Sequence, residues 1–339
     1  VFNNPVDFSK VAVGITAVGS YFPTEVVAND YFSGYLDTSE AWILERTGIR
    51  ERRRASPEQA SSDLAFEAAR GALAMRGIVP AELDCIIVAT VTPDMLFPAT
   101  ACLLQKRLEA FGAFCFDLNA ACSGFLYALH VAVSLIRSGA QHRILLVGVD
   151  TMSSILDYQD RSTCVLFGDG AGAVVVEALE NPELGVLDTL LRSDGRGGEY
   201  LFLPAGGSRK PASPETVQEG EHYIRQFGKQ VFRHAYPEMA KVSLEVLERN
   251  GLTVAELDLF VPHQANLRII EACAREMGLP LTKAFVNIDR YGNTTNATIP
   301  SCLHEAYREG RLHRGSLVQL TTFGAGFAWG STLLRWAIE

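Results

Sequence analysis

The sequence predicts an α/β protein assembled from two similar halves. Apolar stretches of strand length alternate with longer helix-like stretches along the chain. The order of those stretches occurs twice. One helix-like stretch, residues 125–136 (FLYALHVAVSLI), is apolar on nearly every face yet too short to cross a membrane, so it is expected to lie buried between two sheets.

The first copy runs from a helix over 64–76 through Gly-Ile-Val-Pro-Ala-Glu-Leu-Asp to an apolar strand, Cys85–Ala89. The second runs from a helix over 239–250 through Gly-Leu-Thr-Val-Ala-Glu-Leu-Asp to a strand over 259–261. Each then has a helix (99–109 and 266–277) and a strand beginning Ala-Phe (113–118 and 284–288). A sharp turn follows, holding Cys122 in one copy and Asn293 in the other. A further helix ends near Gly139 or Gly310 and leads to a strand over 144–147 or 317–320. Finally Phe167-Gly168-Asp169-Gly170 answers Phe323-Gly324-Ala325-Gly326. The pattern implies a duplicated unit with largely parallel, covered sheets, the halves spanning 1–180 and 181–339. Residues 205–220, rich in Gly, Ser, Pro and charge, read as a surface flap.

Composition excludes several classes. With 339 residues, 48% hydrophobic and 20% charged, the chain is globular and long enough for one large or two medium domains. Thirty Lys and Arg against 39 Asp and Glu leave a net charge of −9, which argues against a nucleic-acid binder. The seven cysteines are odd in number and form no Cys-x-x-Cys, so neither a disulfide framework nor a metal site is expected. Residues 1–10 lack the pattern of a signal peptide, and no apolar run reaches the ~18 residues of a membrane helix. A soluble, cytoplasmic protein is expected.

Cys122 stands in Asn119-Ala120-Ala121-Cys122-Ser123-Gly124, small residues between a strand and the all-apolar helix. Buried cysteines are commonly core residues, and Cys85, Cys115 and Cys164, read as lying in apolar strands, fit that role. A helix N-terminus instead lowers a thiol pKa below its usual value of about 8.5 and offers N–H groups to an oxyanion. Cys122 is therefore a candidate nucleophile. His263 follows directly on a strand, where α/β folds gather catalytic groups. Asn293, in Tyr291-Gly292-Asn293-Thr294, reads either as a turn residue or as the repeat-mate of Cys122 brought to the same axis. Gly168-Asp169-Gly170-Ala171-Gly172 lacks dinucleotide-loop spacing and precedes a strand, so it reads as a tight turn. Gly324-Ala325-Gly326 reads likewise, the last glycine a candidate to lend an N–H to an oxyanion hole. Trp42 and Arg46 lie one turn apart on a helix over 39–46; they form either a structural pair or a grip on an adenine and a phosphate.

Together these motifs resemble β-ketoacyl-[acyl-carrier-protein] synthase III of the thiolase superfamily. They are Thr38-Ser39-x-x-Trp42 with Arg46-Thr-Gly-Ile-Arg50, Asn119-Ala-Ala-Cys122-Ser-Gly, Phe167-Gly-Asp-Gly-Ala-Gly-Ala173, Val261-Pro-His263-Gln-Ala-Asn266-Leu-Arg268 and Tyr291-Gly-Asn293-Thr, in order along nearly the whole chain. The resemblance implies a five-layer α-β-α-β-α fold and a decarboxylative condensation of an acyl-CoA, most simply acetyl-CoA, with malonyl carrier protein. It implies Cys122 as acyl-accepting nucleophile, His263 and Asn293 as binders of the malonyl thioester carbonyl, and the N–H groups of Cys122 and Gly326 as an oxyanion hole. Trp42, Arg46, Phe97, Arg161 and Asn266 would contact the coenzyme A thioester, Phe97 by reaching across a homodimer. Arg233, Gln264, Ala265, Asn266, Leu267 and Arg268 would meet the carrier protein. No cofactor beyond the thioester substrate is implied. The chain departs from the family pattern at Ala325, at Asn296, which is expected to alter the pocket, and at Glu276, which is expected to weaken docking. Alternatives are a relative making polyketide or quinolone-type products, a Cys-His-Asn thioester hydrolase, and a non-catalytic scaffold.

Overall fold

The computed structural model describes residues 11–339; residues 1–10, on which the signal-peptide reading rests, lie outside the described residues. Two sheets form the frame. The first holds β1 (Val13–Tyr21), β2 (Cys85–Ala89), β3 (Phe114–Leu118), β4 (Arg143–Thr151) and β5 (Asp169–Ala178), in spatial order β1-β5-β4-β2-β3. The second holds β6 (Gly185–Ser193), β7 (Leu259–Pro262), β8 (Leu317–Gly324) and β9 (Ala328–Arg335), in order β6-β9-β8-β7. The orders correspond for four strands, β1-β5-β4-β2 with β6-β9-β8-β7, and β3 has no counterpart strand.

Both sheets are mixed, not largely parallel. Strand β2 pairs parallel with β3 and β4, and β7 pairs parallel with β8, but β1–β5, β4–β5, β8–β9 and β9–β6 are antiparallel. The reason is local. The short turn between β8 and β9 makes a hairpin, which can only be antiparallel, whereas each parallel pair needs a helical crossover. The strand expected over 284–288 is reduced to one bridge, Phe260 to Ala284. Beyond it the Gln264 side chain takes over the ladder's hydrogen bonds, donating to Phe285 O at 3.1 Å and accepting from Asn287 N–H at 3.2 Å.

The longer helices among the described residues are α1 (Glu40–Thr47), α2 (Ser61–Arg76), α3 (Thr100–Leu108), α4 (Gly124–Arg137), α5 (Gly228–Arg249), α6 (Leu267–Met277) and α7 (Thr298–Arg308). Helix α5 starts earlier than its apolar pattern suggested and runs through Pro237. Helices α2 and α3 cover the outer face of the first sheet, α5 and α6 that of the second, while α4 and α7 lie between the sheets. The fold is the thiolase-like α-β-α-β-α arrangement. Strand β2 shows why its pattern is a continuous apolar run. Cys85, Ile87 and Ala89 face the central core with Phe125 and Leu129 of α4, while Ile86 and Val88 face the outer core with Leu64 and Ala68 of α2. Helix α4 is not buried on every side, because His130 and Ser134 reach solvent.

Gly170 and Gly172 lie in β5 and Gly168 directly precedes it, so the segment is a strand start in close contact and not a turn. A Cβ at Gly172 would lie 2.6 Å from Pro300 of α7, and one at Gly168 would lie 2.3 Å from the Tyr291 carbonyl. Small residues here let β5 touch the second half. Cys164 lies in a turn before β5, not in a strand.

Candidate active site

Cys122 precedes α4 on a turn built from small residues. Asn119 Oδ1 accepts the Ala121 N–H at 3.0 Å, and Ala121 takes a left-handed φ of 48°. The Cys122 carbonyl accepts the Thr322 hydroxyl at 3.0 Å, and Ser123 donates to Ala328 O at 2.7 Å. The Cys122 turn is thus tied to β8 and β9.

Asn293 is held by the first half in return. Its N–H donates to Leu166 O at 2.8 Å, and its carbonyl accepts the Gly168 N–H at 3.1 Å. Gly292 makes this approach possible: its φ is +64°, and a Cβ there would lie 2.8 Å from Leu166 O. Asn293 Oδ1 accepts the Thr295 N–H at 2.9 Å, which turns the amide NH₂ away from that bond.

His263 follows β7, its N–H donating to Thr321 O at 2.8 Å. The residue is 1% exposed. Its Nδ1 lies 2.7 Å from the Thr298 hydroxyl, and its Nε2 has no partner among the described residues. Burial pushes the imidazole pKa down to about 3, so the ring is neutral.

Cys122, His263 and Asn293 line one cavity of about 520 Å³, together with Trp42, Arg46, Arg161, Arg233, Ala265, Asn266 and Arg268. The guanidinium carbons of Arg46 and Arg161 lie 4.8 and 5.3 Å from the Trp42 ring centroid. Lys229, not singled out in the sequence, adds a fifth cation to the lining.

Three expected contacts lie elsewhere, while Phe97, expected to reach across a dimer, lies on the surface. Gln264 is fully buried and bonds only backbone, so it shapes the segment and offers no surface contact. Leu267 packs on Gly48, the left-handed C-cap of α1, and does not line the cavity. Gly326 lines a second cavity of about 550 Å³ with Ala120 and Ala121, while Gly324 is the glycine against the Cys122 backbone N, at 2.8 Å from its would-be Cβ. Phe97 is 83% exposed and lines neither cavity of its own chain.

The thiol also differs from expectation. Burial, reinforced by the charge of Asp150, pushes Cys122 up to about 12, outweighing the stabilisation a helix N-terminus gives a thiolate. The free site therefore holds S–H.

Asp150 and Thr298 were not legible as site residues. Asp150, at the end of β4, is fully buried and accepts backbone N–H groups of Val91, Thr92 and Asn296 at 2.7, 3.2 and 3.0 Å. Burial raises its pKa and the hydrogen bonds oppose that rise. Asn296 turns away from the cavity. Its amide donates to Asp150 at 2.8 Å, and its Oδ1 accepts the Phe125 N–H at 3.1 Å, in the first turn of α4. The departure at this position thus fastens the two halves behind Cys122. Asp150→Ala would orphan three buried N–H groups, and should cost about 3–5 kcal/mol in urea unfolding. A loss under about 1 kcal/mol would contradict this role.

A thiol on a tied turn, a neutral imidazole and an amide on the same cavity, and a cation-lined approach fit an acyltransferase of the condensing type on a thiolase-like fold. Comparison with known proteins makes the assignment particular. Residues 116–195 match the 3-oxoacyl-[acyl-carrier-protein (ACP)] synthase III family, and residues 247–336 match its C-terminal family. The chain is 51% identical over 325 residues to the β-ketoacyl-[acyl-carrier-protein] synthase III of Solibacter usitatus, covering 95% of this chain and 98% of that one. The crystal structure of 3-oxoacyl-[acyl-carrier-protein] synthase III from Aquifex aeolicus is 44% identical, with a TM-score of 0.88 over 96% of this chain and 100% of that one. The priming β-ketosynthase of the R1128 polyketide pathway is 34% identical, with a TM-score of 0.89 over 96% and 97%. The chain belongs to the β-ketoacyl-[acyl-carrier-protein] synthase III family.

Proposed function

We propose that the protein condenses an acyl-CoA, most simply acetyl-CoA, with malonyl carrier protein, the initiating step of fatty-acid synthesis. The observation that carries this reading is the convergence of Cys122, His263 and Asn293 on one cavity with the cations at its approach. The chain is read as two halves, 1–180 supplying the nucleophile and 181–339 supplying His263 and Asn293.

Cys122 attacks the thioester carbonyl, the C–S bond to coenzyme A breaks, and the thiol proton leaves with coenzyme A. No net base is needed, which suits a thiol that is neutral in the free site. The Cys122 N–H supports the oxyanion, and Gly324 keeps the space against that N free of a side chain. After exchange of substrates, the malonyl carboxylate leaves as CO₂ and its electron pair becomes a thioester enolate. Donors from His263 and Asn293 stabilise the enolate oxygen, so carbanion character arises without a strong base. The enolate carbon attacks the acyl-Cys carbonyl, and the departing Cys122 sulfur takes one proton from solvent.

Trp42 with Arg46 and Arg161 would hold the nucleotide end of coenzyme A. Asn266 has a second task, its amide donating to Arg46 O at 3.1 Å and its Oδ1 capping α6. Arg233, Arg268 and Ala265 would meet the acidic carrier protein, attracting it to a chain whose net charge is −9. Charge reversal at Arg268 should lower kcat/KM for malonyl carrier protein about ten-fold and spare acylation by acetyl-CoA. Equal loss of both would remove Arg268 from docking.

A homodimer completes this reading. Met95, Leu96 and Phe97 are exposed, as is Phe114 on β3, the edge strand of the first sheet. Such an apolar edge suits a second copy of the chain. The seven cysteines are free, in keeping with a cytoplasmic, reducing setting. Similarity to a polyketide priming synthase supports a second reading in which the product enters secondary metabolism. Turnover with a panel of acyl-CoA primers and malonyl carrier protein tests both: preference for acetyl-CoA supports the first, and preference for another primer favours the second.

A further inference from the structure

We propose that Thr298 is a positioning residue that sets the tautomer of His263, its hydroxyl donating to Nδ1 so that the ring proton sits on Nε2. The two atoms lie 2.7 Å apart in a buried setting, and Nε2 has no partner among the described residues. A neutral imidazole carries one N–H, so the direction of the Nδ1 bond decides what Nε2 can do.

The hydroxyl has one proton and two acceptors within reach, His263 Nδ1 and the Thr295 carbonyl at 2.9 Å. That carbonyl already accepts the Thr298 N–H. Turning the hydroxyl toward the ring therefore leaves no buried acceptor orphaned. The opposite arrangement would make Nδ1 the donor and leave a bare lone pair on the unpartnered Nε2. A lone pair would repel an enolate oxygen, whereas an N–H would hold it.

The placement also explains how His263 and Asn293 act as a pair. Thr298 begins α7, and the Ser301 hydroxyl fixes its carbonyl at 3.0 Å. The same short segment carries Asn293, so one loop-to-helix junction orients both groups. The consequence for the reaction rests on the donor role given to His263 above, but the tautomer does not.

The test is ¹⁵N NMR of the full chain labelled at histidine, with the His263 signals assigned through His263→Gln. Wild type should show the Nε2-protonated ring. Thr298→Val should shift it toward the Nδ1-protonated form, and Thr298→Ser, which keeps the hydroxyl, should retain the wild-type pattern. In Thr298→Val, malonyl-carrier-protein decarboxylation should fall roughly thirty-fold while acylation by acetyl-CoA stays within about three-fold. An Nδ1-protonated ring in wild type, or an unchanged tautomer in Thr298→Val, would overturn the proposal. Should the valine variant fail to fold, the wild-type and serine spectra still decide, since Nδ1 protonation in either overturns it. A tautomer that shifts without loss of decarboxylation would uphold Thr298 and remove His263 from the enolate step.

Discussion

Cys122→Ser should lose acyl transfer from acetyl-CoA by about a thousand-fold or more, with the fold intact. The thiol lines the cavity and is pushed up to about 12 by burial. A serine hydroxyl has a still higher pKa and no neighbour placed to take its proton, because His263 is assigned as a donor. The thioester exchange works for sulfur because thiol and leaving group are of one chemical kind and the proton passes between them. The check is single-turnover release of coenzyme A. Release at the wild-type rate in Cys122→Ser would sink the nucleophile assignment.

His263→Ala and Asn293→Ala should each lower malonyl-carrier-protein decarboxylation by about a hundred- to a thousand-fold, the range for one lost oxyanion donor. Acylation of Cys122 should fall far less, because that step draws on backbone donors beside the thiol. The asymmetry follows from geometry. Both side chains present unused donor capacity at the cavity, His263 through its unpartnered Nε2 and Asn293 through the NH₂ left free when Oδ1 accepts from Thr295. Measuring CO₂ release apart from coenzyme A release separates the steps. Loss confined to acylation in both variants would reverse the assigned roles.

The periodicity of the chain made the layers legible. The all-apolar stretch 125–136 appears as α4 between the sheets, and the repeated Ala-Glu-Leu-Asp segments lead into β2 and β7 as equivalents. Strand direction was less accessible. Hydrophobic alternation is the same for parallel and antiparallel neighbours, so the hairpin return of β9 on β8 left no mark in the pattern. The loss of the strand at 284–288 was equally hidden, because a single side chain, Gln264, replaces its ladder.

At the site, Cys122, His263 and Asn293 could be picked out because each sits at a strand end or turn among small residues. Their supports could not. Asp150 and Thr298 act through contacts to residues distant in sequence, and no local spacing announces such a contact. The thiol pKa shows the same limit. A helix N-terminus is visible in sequence, but the burial that outweighs it exists only after the halves close. Asn296 is read correctly only in the fold, where it faces Asp150 and α4 and not the cavity.

The most direct test of the central claim is intact-protein mass spectrometry. The protein is mixed with a panel of acyl-CoA thioesters and then chased with malonyl carrier protein. The account predicts a single acyl adduct that maps to Cys122 and that the chase converts to a β-ketoacyl carrier protein, leaving the free thiol. An absent adduct, or one lost to water at the same rate with and without malonyl carrier protein, would contradict a condensing enzyme.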